Sequence, residues 1–122
     1  MKVLKIALFS MIALGLVFSF AFAAGNVEKG KALFNALKAF GGTSGKSCAT
    51  CHPDGQGLEK SAGKKEWKNP AGTWKSLEAA INACIVNANK GKAIGAKSEE
   101  MKDIVAYIKS LEVKASAEKM KK

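Results

Sequence analysis

Cys48-Ala49-Thr50-Cys51-His52 sets two thiols three residues apart and an imidazole directly after the second. Each thiol can form a thioether to one vinyl group of the same porphyrin. The histidine then lies beneath the macrocycle, where its imidazole can bind iron as the proximal ligand. Two other chemistries use related residues. A dithiol redox pair also shows C-x-x-C, normally near a βαβ pattern, and no such pattern is present. A zinc site would have to draw on Cys48, Cys51, Cys84 and His52, because His52 is the only histidine. That makes at most a Cys₃His set, with Cys51 and His52 as unusually adjacent ligands and no second C-x-x-C. The expectation is one covalent haem c held through Cys48 and Cys51, with His52 on the metal.

The N-terminus bears on location. Lys2 and Lys5 form a positive start, and Ile6 to Phe22 is apolar apart from Ser10 and Ser19. Ala21-Phe22-Ala23 has the small-residue pattern of a cleavage site. Residues 1–23 are therefore expected to be a secretory signal peptide, which places the mature chain in the periplasm or outside the cell. The alternative is an uncleaved membrane anchor, since the run approaches the lower length limit of a span. After cleavage no stable membrane span is expected.

What remains is one small domain, expected over 24–112, followed by a Lys/Ala-rich tail at 113–122. A chain this short is marginal if it buries only its own side chains, and a haem plate would enlarge the core. The formal net charge is +10, with 20 basic and 10 acidic residues, and every basic side chain is lysine. Lysine is a point charge unsuited to bidentate recognition of bases or phosphates, so nucleic-acid binding is not expected. A diffuse positive surface can steer docking to acidic redox partner proteins. It can also simply solvate the chain, or reflect the Lys and Glu usage of thermophiles.

Three longer helices are expected. The first runs from Asn26, a plausible N-cap, to Phe40, with Val27, Ala32, Leu33, Phe34, Leu37 and Phe40 recurring at helical spacing and Gly41-Gly42 ending it. The second covers Ser76 to Val86, with Leu77, Ile81, Cys84 and Ile85 on one face. The last opens at Ser98-Glu99-Glu100 and buries Met101, Ile104, Val105, Ile108 and Leu111. Leu58 to Thr73 reads as a long loop with a helical turn near Gly63 to Trp67, wrapped round the haem. Trp67 and Trp74 are candidates to pack on it, and an indole N–H in such a place can bond a propionate.

The order of Gly30 and Phe34, then C-A-T-C-H, then loops, then Ile104-Val105-Ala106-Tyr107-Ile108 resembles a small, single-haem class I cytochrome c over essentially the whole mature chain. The resemblance implies an all-α class I cytochrome c fold of three to four helices and long loops around one covalent haem. It also implies that the first and last helices cross closely, with Gly30 admitting Tyr107 and Phe34 nearby.

The distal ligand departs from that pattern. Such proteins usually supply a methionine from a loop before the last helix, whereas the mature chain holds only Met101 and Met120. Ile81-Asn82-Ala83-Cys84, Gly91-Lys92-Ala93-Ile94 and Ser98-Glu99-Glu100-Met101 resemble the haem domains of thiosulfate dehydrogenases and related sulfur-oxidising cytochromes. That resemblance implies a cysteine facing the histidine. Cys84 and Met101 are thus the candidate distal ligands, beside a vacant position, Lys90, Asn87 or Asn89. Cys84 as an ordinary buried hydrophobe is the competing reading.

No catalytic acid–base pair is evident, so the expectation is a one-electron carrier rather than an enzyme. The alternative is a haem subunit or relative of a thiosulfate-oxidising system, with Cys84 at its centre.

Overall fold

A computed structural model describes residues 25–122. The expected signal peptide, residues 1–23, lies outside these. Four α-helices and one two-stranded hairpin follow in order: α1 (Val27–Asn35), α2 (Cys48–Cys51), β1 (Trp67–Asn69), β2 (Gly72–Trp74), α3 (Leu77–Asn87) and α4 (Glu99–Met120). Among the described residues, no helix is long and apolar enough to cross a membrane.

Each long helix begins on a side-chain cap that satisfies one of the N–H groups its first turn leaves unpaired. The Asn26 carboxamide accepts from Lys29 N–H, Ser76 Oγ from Ala79 N–H, and Ser98 Oγ from Met101 N–H. Glu28, Glu78, Glu99 and Glu100 add negative charge to the first turns.

The frame is the crossing of α1 and α4. Gly30 makes it possible, because a Cβ there would collide with the Asp103 carbonyl and press on Tyr107 Cβ at 3.0 Å. One turn on, Phe34 meets Tyr107 edge to face, with ring centroids 5.1 Å apart at 62°. The Asp103 carboxylate accepts the Asn26 N–H at 2.6 Å and fastens the entry of α1 to α4. Met101, Ile104, Ile108 and Leu111 of α4 complete the core with Leu77, Ile81 and Ile85 of α3.

Three elements differ from their sequence-based expectations. α1 stops at Asn35, five residues short of Phe40, because Ala36 is extended. A separate 3-10 turn at Ala39–Gly41 follows, with Phe40 at φ +57°. The Phe40 carbonyl accepts the Lys92 N–H at 2.8 Å, a distant bond that pulls the chain off the helix path. Leu37 is consequently exposed.

The stretch expected as loop holds a 3-10 turn at Ser61–Gly63 and the β1–β2 hairpin, in which Trp67 pairs with Trp74. The tail expected to fray from Val113 is helical to Met120. It is a run of strong helix formers, with Ser116 Oγ donating to the Glu112 carbonyl.

Candidate functional site

α2 is a single turn, and its shortness is offset by local bonds. Thr50 Oγ1 accepts the Ser47 N–H at 2.9 Å, and the Ser47 carbonyl accepts the Thr50 N–H at 3.1 Å. The helical turn places Cys48 and Cys51 on one face, three residues apart. His52 caps it, with its N–H donating to the Cys48 carbonyl at 3.0 Å.

A sharp turn follows. Asp54 and Gly55 are both left-handed, at φ +51° and +77°, and Gly55 fits against Leu111 where a Cβ would not. The turn brings the Gln56 carbonyl to 3.0 Å from His52 Nδ1. A carbonyl oxygen only accepts, so Nδ1 carries the proton and Nε2 keeps its lone pair. That is the tautomer a metal-binding histidine needs.

A cavity of about 550 Å³ opens beside α2, within the ~300–1,000 Å³ typical of cofactor pockets. Cys48, Cys51 and His52 line it together with Phe34, Ile104 and Ile108 from the core. α3 contributes Leu77, Ile81, Cys84 and Asn87, and the intervening segment contributes Leu58, Lys64, Trp67 and Lys68. The residues fit a haem. The walls are mostly apolar, two thiols lie on one helical turn, and a free imidazole lone pair accompanies them. A second sulfur, Cys84, lies within the same cavity.

The sulfurs are not independent. Cys48 and Cys84 line the same cavity, and each bears on the other's proton. The Cys84 thiol, with burial second, pushes the Cys48 thiol far up. Cys48 in turn lowers Cys84 to about 7, against the opposing effect of burial.

The other candidates fall differently. Trp67 lines the cavity, but its indole N–H is spent on the Ser61 carbonyl at 2.9 Å. Trp74 does not line it, and its N–H goes to Asn69 Oδ1 at 3.1 Å. Met101 is fully buried in the core and is not among the cavity residues. Asn87 borders the cavity, while Lys90 and Asn89 do not.

One residue bordering the site had no role assigned from the sequence. Asn82 grips the loop after α3 with both ends of its amide, donating to the Ile94 carbonyl at 2.8 Å and accepting the Ile94 N–H at 2.9 Å. Asn82 left a faint signal as a polar residue beside the apolar face of α3. Asn89, one of the candidate distal ligands, is buried outside the cavity.

The family model described as SoxA/TsdA, cytochrome c domain, matches residues 29–115. The chain belongs to this family. It is a c-type cytochrome domain, and its helix-rich architecture is the all-α cytochrome c fold expected from the resemblance. The match spans α1 and nearly all of α4, so it takes in both the helix crossing and the cavity. No curated protein and no solved structure matches the chain.

Proposed function

We propose that this cytochrome c domain is an exported one-electron carrier holding a single haem, linked through Cys48 and Cys51 and bound at iron by His52. The observation that carries the reading is the convergence of both thiols and a correctly protonated imidazole on one cavity. The haem supplies a reversible one-electron couple when bound. The chain does the rest. Gln56 orients His52 and strengthens its Nε2 as a donor. Phe34, Ile81, Ile104 and Ile108 exclude water.

Cys84 is the proposed distal ligand, since it shares the cavity with His52 and Met101 does not. Lys64 and Lys68 on the cavity lining would meet an acidic redox partner. Export rests on the leader pattern of residues 1–23, which favours the periplasm or the medium over a retained anchor.

The test is the protein produced with its leader in a host that attaches haem. Pyridine haemochrome should give one haem per chain, and the intact mass should exceed that of the bare polypeptide by one haem. A colourless product of polypeptide mass would end the proposal. His52→Ala should leave little or no stable haem protein.

A second reading, a component of sulfur-compound oxidation, is favoured by the family and by a cysteine inside the cavity. Thiosulfate turnover by the purified haem protein would establish it. No turnover, with fast electron exchange to a redox partner, would leave the carrier.

A further inference from the structure

Ser61 is 3% exposed and lines the cavity. Its main chain is fully employed. The N–H donates to the Leu58 carbonyl at 2.9 Å. The Ser61 carbonyl accepts the Lys64 N–H at 3.4 Å and the Trp67 indole N–H at 2.9 Å. α4 packs against the same 3-10 turn, Ser61–Gly63, so the turn is braced by the long helix as well as by the indole. These bonds belong to the backbone, however, and alanine at this position would make them all. They explain where residue 61 sits, not why it is serine.

The hydroxyl has no hydrogen-bond partner among the described residues. It is not sealed in either, because the one described side-chain atom buried without a partner is Asn89 Oδ1. The open space that Ser61 Oγ reaches is the cavity its residue lines. An unpaired hydroxyl among mostly apolar walls is destabilising, and alanine would remove the cost. The group must find its partner when the cavity is filled.

A haem brings two carboxylates along with its vinyl groups. The vinyl groups go to Cys48 and Cys51 on α2, so the carboxylates fall to other parts of the lining. With His52 and Cys84 assigned to the iron, the remaining polar side chains there are Ser61, Lys64, Lys68, Asn69 and Asn87. Asn69 Oδ1 accepts the Ala71 N–H at 2.9 Å and the Trp74 indole N–H at 3.1 Å, and the Asn87 amide donates to the Ala83 carbonyl at 2.8 Å. Lys64 and Lys68 are exposed and keep their water, while their charge favours an anion on this segment. Ser61 is the buried member of the set, and its side chain is wholly uncommitted.

We propose that Ser61 is a haem-carboxylate ligand, its hydroxyl donating to one propionate, with Trp67 as its positioning residue. This rests on the reading that Cys48 and Cys51 carry the haem. A hydroxyl that donates to an ionised carboxylate makes a short, charge-assisted bond. Trp67 spends its N–H on the Ser61 carbonyl and so fixes the backbone from which the hydroxyl projects. The indole therefore serves the propionate through Ser61 and not by its own N–H.

The test compares resonance Raman spectra of wild type, Ser61→Ala, Ser61→Thr and Trp67→Phe, each made with its leader in a host that attaches haem. The propionate bending bands report the hydrogen bonding of each carboxylate. In Ser61→Ala one band should shift to lower frequency, because losing a hydrogen bond softens the bend, and the other should stay. Ser61→Thr keeps a hydroxyl and should keep the wild-type band. Trp67→Phe keeps a ring, loses the N–H and should shift the same band in the same direction. Unmoved bands in Ser61→Ala or in Trp67→Phe would overturn the proposal, as would a band that moves as far in Ser61→Thr as in Ser61→Ala. A wild type without haem would show no propionate band and would refute the parent reading instead, so the two failures are distinguishable.

Discussion

Cys84, the proposed distal ligand, lines the cavity that also holds His52. A thiolate on iron pushes electron density onto the metal and lowers its potential relative to methionine. Replacing Cys84 with alanine should abolish the thiolate features of the ferric absorption spectrum. Cys84→Met should raise the reduction potential by on the order of 100 mV, a modest part of the range that axial ligands span. Unchanged spectra and potential in both variants would remove Cys84 from the iron. The haem-free chain offers a pH-dependent check. The Cys48 thiol favours the Cys84 thiolate and lowers Cys84 to about 7, while Cys48 itself is pushed far up. Thiolate is the nucleophile, so iodoacetamide capture at Cys84 should accelerate as pH rises through about 7 and level off above it. Cys48 should stay slow across the same range. Equal capture at both sites would show that the two thiols do not bear on one another's proton.

The helix crossing decides whether the site exists at all. α1 and α4 meet at Gly30, with the Asp103 carbonyl where a side chain would begin. Gly30→Ala gains about 1 kcal/mol of helix propensity. It loses more, because the methyl meets backbone rather than a flexible side-chain end, and overpacking of that kind costs roughly 1–3 kcal/mol. The net expectation is a destabilisation of about 1–2 kcal/mol, read as a lower denaturant midpoint in far-ultraviolet circular dichroism. An unchanged midpoint would mean the helices can part without loss. The helix starts were legible in the sequence, since Asn26, Ser76 and Ser98 cap over three residues and need nothing from elsewhere. The early end of α1 was not, because the bond that bends the chain joins Phe40 to Lys92. Nor was the hairpin: its three-residue strands show no usable alternation, and its Trp67–Trp74 pair forms only once the turn is made.

Across the whole molecule, charge is the most uneven property. The described ion pairs, Lys75–Glu66 and Lys102–Glu99, both lie at the surface, where such pairs add little. A surface of this kind should speed encounter with an acidic redox partner at low salt. Raising ionic strength from about 0.01 to about 1 M shortens the Debye length from ~30 to ~3 Å. Bimolecular electron transfer should slow about tenfold or more over that range. A flat salt dependence would show that lysine only solvates the chain. By itself the sequence determined how Cys48, Cys51 and His52 are arranged, because one helical turn and one cap set their spacing without help from distant residues. It determined the caps and the aliphatic stripe of α4 for the same reason. Only the tertiary structure decided that Cys84 rather than Met101 shares the cavity with His52, and that the Gln56 carbonyl selects the imidazole tautomer. Cys84 and Met101 stand more than thirty residues from the C-x-x-C-H run, and how far apart such residues end up in space is set by how α1, α3 and α4 pack. The Gln56 carbonyl, though near in sequence, is aimed by a left-handed turn whose glycine must fit against Leu111.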